Sequence, residues 1–186
     1  IDKGRISKED IQNPSYERHM ALGWNYRPSD LCAAVALAQL ERAEELVEMR
    51  EIAAQHFLEA VQDVSWLSPQ YVPDGYVNSY WAFVLKLDVE KVPWQVFRRK
   101  FVELGGDGIY GAWRLGYLEP MYRDMAFRGR EKIIGRHGTY QYGPGLCPAA
   151  ESIQPSLLQF KTDYWDERDA IRQAEILKET AAYFGR

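Results

Sequence analysis

The sequence contains only two cysteines, Cys32 and Cys147, among its 186 residues. So few cysteines exclude a disulfide framework, and neither stands at metal-ligand spacing from another cysteine or a histidine. We therefore expect no metal site and a reducing, cytoplasmic setting. The sequence also lacks any apolar run close to the ~20 residues of a membrane-spanning helix. Its net charge of -4 disfavours nucleic acid as a partner.

In its remaining composition the sequence is typical of a folded globular protein. The hydrophobic fraction is 46% and the charged fraction is 27%, which suits one core or one and a half domains. The chain starts at Ile1, with neither an initiator methionine nor a signal-peptide pattern. We therefore expect a fragment, a processed chain or one part of a longer protein.

A long helix is predicted in the first third of the chain. Apolar residues recur at helical spacing over residues 31–61, without an interrupting glycine or proline. This pattern predicts an interdomain helix over residues 28–64, with Ser29 and Asp30 as capping candidates. The helix either spans two domains or bends near residues 44–45. Its Ala-, Val- and Leu-rich first half is expected to be buried on most sides.

A small α+β domain is predicted over residues 65–186. The predicted strands are Tyr80–Leu87, Gly108–Trp113 and Leu157–Lys161, and the predicted helices are Trp94–Leu104 and Asp166–Tyr183. Ser65–Val77 is turn-rich, and Cys147-Pro148 opens a short helix. In the last helix the residues expected to face inward are Ile171, Ala174, Ile176, Leu177 and Ala181. The fold class is therefore α/β, with a long interdomain helix and a small three-stranded sheet flanked by helices.

A polar, aromatic loop, Gly23-Trp24-Asn25-Tyr26-Arg27, directly precedes the long helix. Anions are favoured at such a helix start. The amide of Asn25 can donate to a phosphate oxygen, and Arg27 can bind a phosphate through two parallel hydrogen bonds. On spacing alone, a second interpretation stays open, in which Asn25 makes a turn and Arg27 makes a surface ion pair.

This loop, with Ala33-Ala34 and Leu40 in the helix after it, resembles the G-x-N-x-R loop and helix of the DegT/StrS family of pyridoxal-phosphate sugar aminotransferases. The resemblance runs from about His19 to the C-terminus. It implies the C-terminal portion of a fold-type I pyridoxal-phosphate-dependent transferase, in which residues 1–27 are an arm and active-site loop of the large domain. Pro28 stands where the family commonly has methionine, a departure that shifts only the helix start.

The resemblance also implies roles for individual residues. Family members are homodimers, so Asn25 would contact the phosphate of pyridoxal 5'-phosphate in the neighbouring subunit. Tyr26 and Arg27 would then contact the substrate. Tyr117 and His137 match substrate-proximal positions further along the chain. Surface aromatic residues beside glycine are, however, more often packing residues, and a lone histidine is more often structural.

Four other residues have weaker patterns. Arg114 and Tyr122 are candidates to bind a sugar ring. Glu151 matches an acidic family position, and we interpret it as part of a helix start rather than as a general base. His56 is interpreted as a structural residue on a helix face.

The hallmark that supplies the family's catalytic lysine, Ser-x-His-x-x-Lys, is absent from this sequence. Lys3 and Lys8 lack that context. Transamination needs this lysine and an acid at the pyridine nitrogen of the cofactor, so the chain alone is expected to be inactive. We therefore expect a partner, a lysine-bearing N-terminal half from the same gene or from a second chain.

Three functions remain open. The first is an aminotransferase that moves an amino group from glutamate or glutamine to a nucleotide-linked keto sugar or a keto cyclitol. The second is a non-catalytic dimerisation or regulatory module derived from the aminotransferase fold. The third is an unrelated α+β binding domain with a coincidental loop, which is disfavoured because loop, helix and C-terminal segments agree in their order. The upstream sequence discriminates between the first two.

Overall fold

The structure is a computed structural model that describes residues 28–107, 110–111, 114–119, 122 and 141–185. The chain divides into two compact units, the first ending at Arg42 and the second beginning at Ala43. Among the described residues, no helix is long and apolar enough to cross a membrane.

In the first unit, the described residues form helix α1, Asp30–Leu40. Ser29 caps it, because its Oγ accepts a hydrogen bond from the Cys32 N–H at 3.3 Å, which confirms one of the two predicted caps. No residue of α1 is buried. The prediction that this half of the helix is buried on most sides is therefore wrong. Its apolar composition shows what the helix could bury, whereas burial also requires a surface that covers it.

The single predicted helix is two helices in the structure. Helix α1 ends at Leu40, and helix α2, Ala43–Val61, begins after a turn in which the Arg42 N–H donates to the Gln39 carbonyl at 3.2 Å. This interruption lies just before the predicted bend at residues 44–45. The boundary between the two compact units therefore falls inside the segment that was assigned to one interdomain helix.

The second unit contains a four-stranded antiparallel sheet with the order β1-β2-β4-β3. Its strands are β1, Leu67–Pro69; β2, Phe83–Leu87; β3, Tyr110–Gly111; and β4, Leu157–Phe160. Strands β2, β3 and β4 fall within the three predicted strands. Strand β1 is additional and lies in the segment that was interpreted as turns.

Strand β2 starts three residues later than predicted, at Phe83. The cause is a local turn, in which the Tyr80 N–H donates to Asn78 Oδ1 at 3.0 Å. Tyr80 adopts φ = 46°, a left-handed conformation that is uncommon for a residue other than glycine. This conformation ends the extended backbone ahead of the strand.

Three further helices complete the second unit, and the two longer ones among them begin and end within a residue of their predicted bounds. They are α3, Trp94–Glu103; α4, Pro148–Ile153; and α5, Glu167–Tyr183, together with 3₁₀ turns at Gly116–Leu118 and Gln154–Ser156. Asp166 caps α5, because its carboxylate accepts from the Arg168 N–H at 2.9 Å. Hydrogen bonds from the side chain and backbone of Arg168 lower the pKa of Asp166 to about 2.

The core lies between one face of the sheet and the helices. Alternate residues of β2 and β4 are buried, and phenylalanines of the helices are buried with them. The central residues of this core are Phe57, Phe83, Leu85, Phe97, Phe101, Leu158 and Phe160. The Phe57 and Phe83 rings stack with centroids 5.4 Å apart, and Phe101 meets Phe160 edge-on at 5.6 Å. Helices α2 and α3 are thus held on the same face of the sheet.

Helix α5 buries a slightly different stripe from the predicted one. Ala174, Ile176, Leu177 and Ala181 are buried as expected, but Ile171 is 38% exposed. Gln173 and Thr180 are buried instead, since their polar atoms have partners. Gln173 Oε1 accepts from the Asp107 N–H at 2.7 Å, and Thr180 Oγ1 donates to a helix carbonyl at 2.7 Å.

Candidate functional site

Most of the predicted site residues lie outside the described part of the chain. These residues are Asn25, Tyr26, Arg27 and His137. The contacts assigned to them therefore stay predictions. Tyr117 lies inside the described part, in the 3₁₀ turn Gly116–Leu118, and the site can be built from it.

The Tyr117 hydroxyl donates a hydrogen bond to Glu151 Oε1 at 2.5 Å. Glu151 lies in the first turn of α4, and its carboxylate also accepts from the Gly145 N–H, at 2.8 Å and 2.9 Å, and from the Cys147 N–H at 3.3 Å. One carboxylate thus joins the 3₁₀ turn to the loop that precedes α4. This arrangement confirms the interpretation of Glu151 as part of a helix start.

The local sequence explains why Glu151 takes this role. Gly145 adopts φ = 92°, which a glycine reaches without strain, so the chain can turn sharply before α4. Pro148 then begins the helix, where its missing N–H costs nothing. The N-cap residue Cys147 makes no side-chain capping bond, so the carboxylate of Glu151 reaches back to the free backbone N–H groups instead.

The electrostatics of this pair disfavour acid–base chemistry near neutral pH. The hydrogen bond from Tyr117, followed by that from the Gly145 N–H, lowers the pKa of Glu151. Partial burial and the bond to Glu151 raise the pKa of Tyr117 to about 12. Glu151 therefore stays ionised and Tyr117 stays protonated, and their contact works as a structural clasp. The hydroxyl of Tyr117 is already engaged, so a substrate would meet the half-exposed ring.

Sequence reasoning named Tyr122 as a candidate but missed its aromatic neighbour Tyr142. The rings of Tyr122 and Tyr142 lie with their centroids 5.5 Å apart, at a tilt of 53°. Phenol rings combine an apolar face with a hydroxyl, a combination that suits a sugar. The only signal for Tyr142 was the run of aromatic residues at Tyr140-Gln141-Tyr142. Arg114, the other candidate of this region, is exposed.

His56 and the two cysteines are the remaining candidates in the described part of the chain. His56 Nε2 lies 2.9 Å from Glu167 Oε1, so this contact joins α2 to the first turn of α5. Cys32 and Cys147 are free, exposed thiols. In the described part of the chain, no three His, Cys, Asp or Glu side chains are grouped as a metal site would require.

The sequence matches the model of the DegT/DnrJ/EryC1/StrS aminotransferase family over residues 5–134. It is 26% identical over 136 residues to EpsN of Bacillus subtilis (strain 168), which is provisionally named a pyridoxal phosphate-dependent aminotransferase. That match covers 70% of this chain and 34% of EpsN. The sequence is also 29% identical over 91 residues to GDP-perosamine synthase of Vibrio cholerae, covering 48% of this chain and 24% of that protein.

The structure is similar to solved aminotransferases. The aminotransferase from Psychrobacter cryohalolentis matches with a TM-score of 0.69 at 16% sequence identity, over 97% of this chain and 47% of that chain. At this identity the likeness shows the fold. The chain therefore has the fold of part of an aminotransferase and spans about a third or less of its curated relatives.

Proposed function

Because the chain belongs to the DegT/DnrJ/EryC1/StrS aminotransferase family, we propose that it is the C-terminal part of a pyridoxal-phosphate-dependent aminotransferase. The complete enzyme moves an amino group from glutamate or glutamine to a nucleotide-linked keto sugar or a keto cyclitol. The observation that carries this proposal is the family match over residues 5–134, which includes the loop with Asn25 and Arg27. The name of GDP-perosamine synthase supports a nucleotide-linked sugar as substrate.

In this proposal the complete protein is a homodimer in the cytoplasm. Asn25 binds the cofactor phosphate across the dimer interface, and Arg27 and Tyr26 contact the substrate. Tyr117 and His137 approach the substrate from the small domain. The clasp between Tyr117 and Glu151 supports this part of the proposal. Its hydrogen bond holds the Tyr117 side chain, whose ring would contact the sugar, in one position.

The residues that the structure describes do not by themselves fit pyridoxal phosphate. Lys100 Nζ lies 3.2 Å from Glu103 Oε1, and Lys161 Nζ lies 3.4 Å from Asp107 Oδ2, so both of these amines have a carboxylate partner. The Ser-x-His-x-x-Lys stretch is absent from the whole sequence. We therefore assign no catalytic step to this chain and propose that the lysine is supplied by an N-terminal half.

The second candidate function is a non-catalytic dimerisation or regulatory module derived from the same fold. The lysine motif belongs to the part of the family upstream of this chain, so the upstream sequence discriminates between the two functions. For such a module the family likeness would describe only the ancestry of the domain.

Combining the chain with a lysine-bearing half tests the two functions against each other. The coding sequence upstream of Ile1 is read for a Ser-x-His-x-x-Lys stretch, and the complete protein, or the two chains together, is purified with pyridoxal phosphate. The enzyme proposal predicts a visible absorbance band of bound cofactor and amino transfer from glutamate or glutamine to a keto sugar. A gene that begins at Ile1, with no partner carrying the motif, would favour the regulatory module.

Two variants of the complete protein test the site assignment. Asn25→Ala should weaken cofactor retention, and Arg27→Ala should raise the KM for the sugar, because each removes a hydrogen-bond donor to an anion. Arg99→Ala is the matched control, since Arg99 is an exposed arginine on α3. Normal cofactor spectra and kinetics in both loop variants would show that the site assignment is wrong, even if the protein is an aminotransferase.

A further inference from the structure

A small pocket lies where the chain enters β2 and leaves β4. Its volume is about 200 Å³, and it is lined by Arg50 of α2, Trp81, Gln159, Phe160, Lys161 and Asp163. Pockets for drug-sized ligands have volumes of roughly 300–1,000 Å³. This pocket therefore suits one ligand of smaller size.

Two opposite charges that line this pocket have no ionic partner in the part of the chain that the structure describes. Arg50 Nη1 donates to the Trp81 carbonyl at 3.2 Å and to Thr162 Oγ1 at 2.9 Å, and both acceptors are neutral. Within the described part of the chain, neither Arg50 nor Asp163 forms an ion pair. Lys161 differs, because its Nζ lies 3.4 Å from Asp107 Oδ2. Among the described residues, the pocket thus offers one cation and one anion that have no ionic partner.

The groups that hold Arg50 are fixed in place. Thr162 is fully buried, and its hydroxyl donates to the Tyr80 carbonyl at 2.6 Å while it accepts from Arg50. Tyr80, whose carbonyl accepts this hydrogen bond, has the strained φ of 46°. Backbone strain of this kind persists where the surrounding structure enforces it, and it is concentrated at binding and catalytic sites. The guanidinium is therefore positioned before any ligand arrives.

Trp81 adds an aromatic group to these charges. Trp81 is 70% exposed. Single exposed aromatic residues are common, so its exposure alone indicates nothing. Beside the charges of Arg50 and Asp163, however, it supplies the apolar surface on which a ring can stack.

We propose that this pocket binds a free α-amino acid with an aromatic side chain. The carboxylate of the ligand pairs with Arg50, its ammonium group pairs with Asp163, and its ring packs against Trp81. All three groups belong to this chain, so the pocket binds the amino acid whether or not the chain is part of an aminotransferase.

Three related probes test the proposal by calorimetry and ligand-observed NMR on the full chain. L-phenylalanine carries both charges, 3-phenylpropionate lacks the ammonium group, and phenethylamine lacks the carboxylate. L-phenylalanine should bind severalfold more tightly than either analogue, since each analogue lacks one of the two charges that would pair with Arg50 and Asp163. Equal binding of L-phenylalanine and 3-phenylpropionate, or no binding of L-phenylalanine at millimolar concentration, would overturn the proposal.

Substitutions then assign the contacts. Trp81→Ala should weaken L-phenylalanine about tenfold, as expected for loss of an aromatic contact at the centre of a small site. Asp163→Asn should remove the preference for L-phenylalanine over 3-phenylpropionate, because the ammonium group loses its partner while the carboxylate keeps Arg50. The Arg50 site is left intact in both variants, since its bond to residue 81 is to the backbone.

Matched controls separate binding from folding. Trp165→Ala removes a tryptophan that is 73% exposed and does not line the pocket, and it should leave affinity unchanged. Thermal unfolding of every variant shows whether it is folded. If folded Trp81→Ala and Asp163→Asn both bind L-phenylalanine like the unchanged chain, the pocket is not the site.

Discussion

Glu151 shows how one side chain can join segments that are far apart in the sequence. Its carboxylate holds Tyr117, 34 residues earlier, and the backbone of Gly145 just before α4. Its pKa is lowered by these bonds, so the clasp is fully formed above the ordinary value of 4.5. It is lost as the pH falls through the lowered pKa of Glu151, where the carboxylate takes up a proton.

Tyr117→Phe should raise the pKa of Glu151 towards its ordinary value, because the hydroxyl is the largest cause of the lowering. The measurement is an NMR titration of the Glu151 side-chain carboxyl carbon. Tyr71→Phe is the control, since Tyr71 is 81% exposed and has no contact with Glu151. An unchanged titration of Glu151 in Tyr117→Phe would show that the clasp does not form in solution.

The same pair marks a limit of sequence reasoning at this scale. The position of Glu151 after Cys147-Pro148 was enough to predict a helix start, because capping is local. Its partner Tyr117 could not be predicted, since a side-chain contact across 34 residues depends on the tertiary fold. The substrate contact of Tyr117 came from family resemblance and stays a prediction. The charged pocket around Arg50 had no local signal at all.

Among the elements, those with a regular pattern were predicted and those that depend on a neighbour were not. Helices α3 and α5 begin and end within one residue of the bounds that their apolar periodicity predicts. Strand β1 was missed because it has only three residues, ends at a proline and is defined by its pairing with β2. The exposure of α1 was also missed, because an apolar pattern does not show what covers a helix.

The end of α3 provides a test at the scale of an element. Gly106 follows this helix, and a Cβ added there would overlap the ring of Phe101, which is buried and cannot move aside. Gly106→Ala should therefore reduce the free energy of unfolding by about 1–3 kcal/mol, as overpacking does in well-filled cores. Urea unfolding measures this change.

Gly116→Ala is the control for this substitution, because a Cβ at Gly116 would meet no atom within 4 Å. It should be neutral or slightly stabilising, since alanine restricts the unfolded chain. Equal stability of the two variants would mean that the loop after α3 adjusts freely around Phe101.

At the scale of the whole molecule, the hydrophobic core of the described residues belongs to one of the two compact units. Every buried apolar side chain in the described part of the chain lies between Ala53 and Ala181, inside the second unit. The large exposed apolar residues of α1, by contrast, belong to the first unit; they are Leu31, Val35, Leu37 and Leu40. The stability of the second unit should therefore depend on its own residues.

A shortened chain of residues 43–186 should consequently fold on its own. It keeps every buried apolar side chain of the described residues, so its thermal midpoint should equal that of the full chain, and its cooperative unfolding should be unchanged. Removing α1 also removes its exposed leucines, so the shortened chain should bind less of a hydrophobic dye. Differential scanning calorimetry and dye fluorescence measure both effects. A large fall in the midpoint would show that residues 1–42 stabilise the second unit, and the boundary at Arg42 would then not separate independent folding units.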